Sequence, residues 1–154
     1  MKFLIDTNVY GTFFDGEENS MWVLDYAKKN REQGFISAIV ILEASKFKKG
    51  WDEIRPKLFE CNTILIEPLL PNFRKALNLA WKYIQELKLA GGDLPDAELV
   101  AFASLIGLDM ILTKNKRGIF DKDNYRKIRK INMRYKLKTP QMKTPEELKQ
   151  FLTY

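Results

Sequence analysis

Histidine is absent from the chain, and cysteine occurs once, at Cys61. These absences exclude most common catalytic schemes. No Ser-His-Asp triad, Cys-His pair or histidine acid–base ribonuclease can be assembled, and neither can a His-ligated or Cys-rich zinc site. The lone cysteine has no partner for an internal disulfide, which suits a reducing compartment. No apolar run reaches about 18 residues, so nothing reads as a membrane span. Met1-Lys2-Phe3 opens an apolar stretch too short for a signal-peptide core. A cytoplasmic protein with no membrane partner is the resulting expectation. Any chemistry falls to carboxylates, lysines or a carboxylate-held metal.

What is present is a chain of 154 residues, 45% hydrophobic and 30% charged, which fits one globular domain over 1–154. The net charge of +6 is unevenly spread. Residues 114–138 hold eleven Lys/Arg and two Asp/Glu, a local net of +9, so the remainder is at −3. Such a block suits a polyanion partner and equally a solvated face. Its aromatics are sparse (Phe120, Tyr125, Tyr135), which gives base stacking little support.

Short apolar stretches at 2–5, 35–37, 63–66 and 110–112 read as strands, with a weak further strand near Ile131–Met133. Helical spacing is found over 19–30, with Asn19 or Ser20 as cap and Trp22, Val23, Tyr26 and Ala27 on one face. It recurs over 38–48, with Ile39, Ile41, Leu42 and Ala44 leading to a basic end at Lys46, Lys48 and Lys49 before Gly50. A short helix is expected over 52–60. A long one follows over 71–89, with Phe73, Ala76, Leu77, Ala80, Trp81 and Ile84 at helical spacing. The stretch 94–106 reads as a small-residue helix buried on most sides. Thr144-Pro145-Glu146-Glu147 opens a terminal helix over about 145–152. Residues 125–138 fit helix, strand or arm alike. Strands alternating with helices predict an α/β fold: a mainly parallel sheet of about four to five strands covered on both faces, a three-layer α/β/α sandwich.

In open α/β sheets functional groups gather at the carboxyl ends of the strands. Asp6 follows the first strand, Glu43 lies in the helix after the second, and Asp96 opens the helix before the fourth. Thr113, Lys114 and Asn115 follow that fourth strand. Each also has a plain structural reading. Asp6-Thr7-Asn8 suits a helix cap, Glu43 a solvated helix face, and Asp93 and Asp96 an acidic capping pair. Glu98 reads as structural, paired with a basic side chain. Taken together, clustered carboxylates repel unless a divalent cation neutralises them, and all-oxygen sites suit Mg2+ or Mn2+. With a basic strip nearby, the pattern suggests metal-dependent hydrolysis of phosphodiester bonds.

The chain resembles the PIN-domain family, and within it the compact single-domain ribonucleases that are VapC-type toxins. The resemblance rests on F-L-I-D-T-N at 3–8, S-A-I-V-I-L-E at 37–43 and L-P-D-A-E-L-V-A-F-A-S-L-I-G-L at 94–108. I-L-T-K-N-K-R-G-I-F at 111–120 and K-T-P-E-E-L-K-Q-F-L at 143–152 also match. It implies that Asp6, Glu43 and Asp96 form an acidic triad holding Mg2+ or Mn2+ and orienting the attacking water, with Asp6 central. Thr7, Asn8 and Thr113 would support it by hydrogen bonds. Where the family often has a fourth acid, this chain has Asn115, whose carbonyl oxygen is a further ligand candidate. Asp93, Asp121 and Asp123 are the nearby acids that could complete the site instead. The resemblance further implies an endoribonuclease with an RNA substrate contacted by Lys114, Lys116 and Arg117, an antitoxin partner and a homodimer. The alternative is a catalytically weak or inactive PIN-fold module that binds RNA or protein. A dehalogenase-like phosphatase is disfavoured, because it needs an acid two residues after the first, where this chain has Asn8.

Overall fold

Phe3, Leu4 and Ile5 are 2%, 0% and 2% exposed, as a strand covered on both faces requires. They belong to β1 (Lys2–Ile5). The structure, a computed structural model, describes residues 1–29, 33–46, 51–60, 64–66 and 70–153. Cys61, Thr63, Lys48, Lys49 and Gly50, named above, lie outside them. The strands run in the order β3 (Ile64–Ile66), β2 (Gln33–Ser37), β1, β4 (Met110–Leu112), β5 (Gln141–Lys143). Registered parallel pairing forms three ladders, which join four of these strands. The ladders are β1 with β2, β2 with β3, and β1 with β4, the last placing Leu4 opposite Ile111. Met110, Ile111 and Leu112 are buried throughout. The Thr113 N–H donates to the Lys143 carbonyl at 3.0 Å, just past the end of β4.

The residues cluster into two compact units. One holds Met1–Glu67, Met110–Lys114 and Met142–Tyr154; the other holds Pro68–Asp109 and Asn115–Gln141. In the first unit the chain turns at once from β1 into α1 (Thr7–Phe14), a helix the sequence reading passed over. α2 (Glu18–Lys29) buries Val23, Leu24 and Ala27. Its cap is not Asn19 or Ser20: the Glu17 carboxylate reaches forward and accepts the Ser20 N–H at 2.8 Å. α3 (Ala38–Ala44) turns Val40 and Ala44 inward, whereas Leu42, expected on the apolar face, is 65% exposed. α4 (Trp51–Glu60) matches the short helix expected there. α8 (Pro145–Thr153) is closed by a reciprocal box. The Glu147 N–H donates to Thr144 Oγ1 at 3.2 Å, and the Thr144 N–H donates to Glu147 Oε2 at 2.9 Å.

The second unit is helical. α5 (Leu70–Leu87) buries Ala76, Leu79, Ala80, Tyr83, Ile84 and Leu87. The expected face was misplaced by part of a turn, since Phe73 and Trp81 are 36% and 42% exposed. α6 (Leu94–Leu105) is buried on most sides, as its small residues allow. Ile131–Met133 is not a strand. It lies in α7 (Lys122–Arg134), begun by Asp121, whose Oδ1 accepts the N–H groups of Asp123 and Asn124 at 2.9 and 3.3 Å. Ile128, Ile131 and Asn132, at helical spacing, face inward. No helix among the described residues is long and apolar enough to cross a membrane.

Fully buried Asn132 needs partners, because an unpaired amide in the core is costly. Its Oδ1 accepts the Tyr83 hydroxyl at 2.5 Å, and its Nδ2 donates to Ser104 Oγ and Thr139 Oγ1, both at 3.0 Å. Burial pushes the Tyr83 phenol up to about 12, so it stays a donor. Replacing the hub strands several groups, while replacing Tyr83 strands one. Asn132→Leu is therefore expected to cost about 3 kcal/mol and Tyr83→Phe about 1 kcal/mol in urea unfolding. Equal small losses would show that the network adds nothing.

Candidate functional site

From β1 the chain moves outward through β2 and β3, then returns to β4 on the other side of β1. The strand order reverses at β1 and β4, and α/β sheets bind ligands at the carboxyl ends of strands beside such a reversal. Asp6 follows β1 and Thr113 follows β4. The Asp6 N–H donates to the Leu112 carbonyl at 2.9 Å, which fastens the two strand ends together.

Asp6 is only 5% exposed. It does cap α1, as the plain reading held: Oδ1 accepts the Thr7 N–H at 2.7 Å. Its other oxygen has a different use. Oδ2 accepts Thr113 Oγ1–H at 2.6 Å and Asn8 Nδ2–H at 2.5 Å. Burial raises the Asp6 carboxyl above its usual range, and the neighbouring Glu43 charge adds to this. The Thr113, Thr7 and Asn8 hydrogen bonds pull the other way.

Thr7 links the two acids of this unit, because its hydroxyl donates to Glu43 Oε2 at 2.5 Å while its N–H serves Asp6. Asn8 is saturated: Nδ2 also reaches Thr113 Oγ1 at 3.1 Å, and Oδ1 accepts the Lys114 N–H at 2.9 Å. Asp6, Thr7, Asn8, Glu43, Thr113 and Lys114 therefore form one bonded cluster. The sequence reading missed its neighbour, Glu17, whose Oε2 lies 3.4 Å from Lys114 Nζ. An acid three residues before Ser20 signals a cap, but no local pattern ties it to a lysine nearly a hundred positions away.

The second unit holds Asp96 in the first turn of α6, half-buried. Its Oδ2 accepts Asn115 Nδ2–H at 3.2 Å, while Asn115 Oδ1 accepts the Arg117 N–H at 3.0 Å. This second bond fixes which way the amide faces. Asp93 has local work: Oδ2 accepts the Ala90 N–H at 3.1 Å. Its side chain also lies against Gly118, where an added Cβ would sit 2.5 Å from Oδ1. Glu98 is half-buried, which raises its carboxyl, and among the described residues no cation pairs with it, contrary to expectation. Asp121 caps α7, and Asp123 lies 3.4 Å from Arg126. Lys114, Lys116 and Arg117 are exposed.

The donor chemistry suits a hard cation. Asp6 uses three of its roughly four lone-pair positions, which leaves one on Oδ1. Mg2+ is commonly held through one or two carboxylates, with water and substrate phosphate completing its shell. Asp6 and Glu43 meet that requirement. Among the described residues no group of three or more acidic, Cys or His side chains gathers to hold a metal ion.

No family model and no curated protein matches the chain. Among solved structures, a chain in the crystal structure of VapBC2 from Rickettsia felis, bound to a DNA fragment from their promoter, is similar to it. The TM-score is 0.61 at 18% identity, covering 94% of this chain and 98% of that one. At this identity the likeness is one of fold.

Hydrogen bonding from Ser20 foremost, then the Lys114 ammonium, holds Glu17 down at about 2. A depressed carboxyl adds stability above its unfolded value near 4.5 and loses it as pH falls toward 2. Glu17→Gln is thus expected to lower Tm by about 1–2 °C at pH 7, with the difference closing between those two values. A difference independent of pH would refute this account of the depressed carboxyl.

Proposed function

We propose that the chain is a Mg2+- or Mn2+-dependent endoribonuclease with a PIN-like fold, acting as the toxin of a toxin–antitoxin pair. The observation that carries this reading is the buried Asp6 carboxylate at the end of β1. It is held by Thr113, Asn8 and Thr7, with Glu43 bonded to the same threonine. The fold likeness to a chain of VapBC2 supports the class and motivates an antitoxin partner.

A divalent cation bound there supplies a Lewis acid for the phosphate and lowers the pKa of water. Asp6 would be its central ligand. Thr113 and Asn8 lock the Asp6 rotamer, so its remaining lone pair has a fixed direction. Glu43 would help to hold the ion or orient the attacking water, and the resemblance gives Asp96 the same role. Asn115 orients Asp96 through its NH2. Lys114, Lys116 and Arg117 take RNA phosphates.

One observation favours a second reading. A neutral amide, not an acid, meets Asp96, and it lowers the charge available for metal. A catalytically weak PIN-fold module that binds RNA is that alternative.

The test is cleavage of a mixed single-stranded and structured RNA pool by purified protein in Mn2+, Mg2+ or EDTA. Cutting is expected with metal alone, and Asp6→Asn is expected to fall below about 1% of the parent rate. Full activity in Asp6→Asn would sink the site, while metal-independent RNA retention without cutting would favour the binding module. Stability gives a second readout. Asn115→Asp faces Asp96 with a second carboxylate, at a cost of about 1 kcal/mol, or about 3 °C, in EDTA. Added Mn2+ is expected to raise its Tm more than that of the parent. Lys116→Ala with Arg117→Ala is expected to flatten the salt dependence of RNA binding by about two in slope.

A further inference from the structure

The outer face of α7 belongs to neither the carboxylate cluster nor the segment that follows β4. Ile128, Ile131 and Asn132 point inward, which turns two rows of cations outward. Lys127, Lys130 and Arg134 stand at i, i+3, i+7, and Lys122, Arg126 and Arg129 at i, i+4, i+7; all six are exposed. Over 13 residues the rows run about 18 Å along the helix. Each row borders a trough. One, of about 420 Å³, is lined by Lys127, Lys130, Ile131 and Arg134 together with Glu86. The other, of about 500 Å³, is lined by Tyr125, Arg129, Met133 and others.

The acids near these rows are few. Glu86 is engaged by Arg134. Asp123 lies 3.4 Å from Arg126, with both side chains 80% exposed, so that pair is weak and easily exchanged. Among the described residues no ion pair or hydrogen bond occupies the side chains of Lys127, Arg129 or Lys130.

We infer that this face is a second contact surface, one that takes the phosphate backbone of RNA. The chemistry separates this occupant from others. A protein partner is anchored by apolar side chains in pockets, whereas the outer face of α7 carries one large exposed apolar residue, Met133. A membrane-surface helix must lay down its apolar face, and Ile128 and Ile131 are committed to the core. Closely spaced cations with a single exposed apolar side chain among them suit a partner that is itself a row of charges, and phosphate contacts of this kind carry affinity without sequence preference. The inference rests on the RNA reading above for the identity of the polyanion. Its test reads binding and does not depend on cleavage.

The experiment uses the full chain carrying Asp6→Asn, in EDTA, so that no cutting intervenes. A labelled RNA hairpin and a poly-glutamate peptide are titrated across a salt series. The comparison variant adds Lys127→Gln, Arg129→Gln and Lys130→Gln, all exposed positions, with circular dichroism and Tm as controls for folding. Hairpin affinity is expected to fall at least tenfold at moderate salt, and the log–log salt slope by about three. Lys127→Arg with Lys130→Arg is expected to retain both. An unchanged hairpin affinity and slope would overturn the assignment. So would loss of poly-glutamate binding with hairpin binding intact, which would give the face to an acidic protein segment. If the hairpin result holds but no RNA is cut by the parent protein, the surface stands and the nuclease reading falls.

Discussion

Asp6 sits where a carboxylate is least at ease, in the interior at the end of a central strand, and the first unit is organised around keeping it there. Three separate segments meet around it. α1 begins on it, Asn8 and Thr113 donate to one of its oxygens, and Thr7 connects it to Glu43 on α3. Burial still wins over those hydrogen bonds and raises its pKa. A fold that only needed a helix cap would have no use for this strain, because an exposed serine or aspartate caps as well. Held, crowded negative charge of this kind is what motivates the cation site proposed above.

The second unit treats its acid differently. Asp96 meets the neutral amide of Asn115, which is pinned in turn by a backbone N–H. Asn132 shows the same economy deeper in the unit, where one amide satisfies three hydroxyls. The first unit thus buries a carboxylate and leaves one of its lone pairs open, whereas the second sets a half-buried carboxylate against a neutral amide.

Much of this was legible in the sequence. Apolar triplets such as Phe3-Leu4-Ile5 and Met110-Ile111-Leu112 have few alternatives to burial in a parallel sheet, and the helices at 94–105 and 145–153 carried clear boundary signals. The candidate acids stood out because they follow those strands. The failures have physical causes. α1 was hidden because residues that cap a helix and residues that line a site look the same in Asp6-Thr7-Asn8. α7 was hidden because its inner face contains an asparagine and its outer face is so basic that apolar periodicity is faint. The face of α5 was misjudged because large aromatic rings, Phe73 and Trp81, were given more weight than the alanines that pack closest. Glu17 was invisible, since its tie to Lys114 exists only in three dimensions.

The bonds that complete the Asp6 cluster join residues 105 to 107 positions apart. Such contacts are late in any chain made from its first residue onward. A ribosome adding about 5–20 residues per second needs at least several seconds to travel from Asn8 to Lys114. During that interval β1 and Asp6 exist, but Thr113 does not, and Asp6 Oδ2 lacks one of its two donors. The cluster is therefore incomplete until the fourth strand has emerged and docked. For a chain read as a toxin, this gives its maker a short period of safety that is written into the order of the strands.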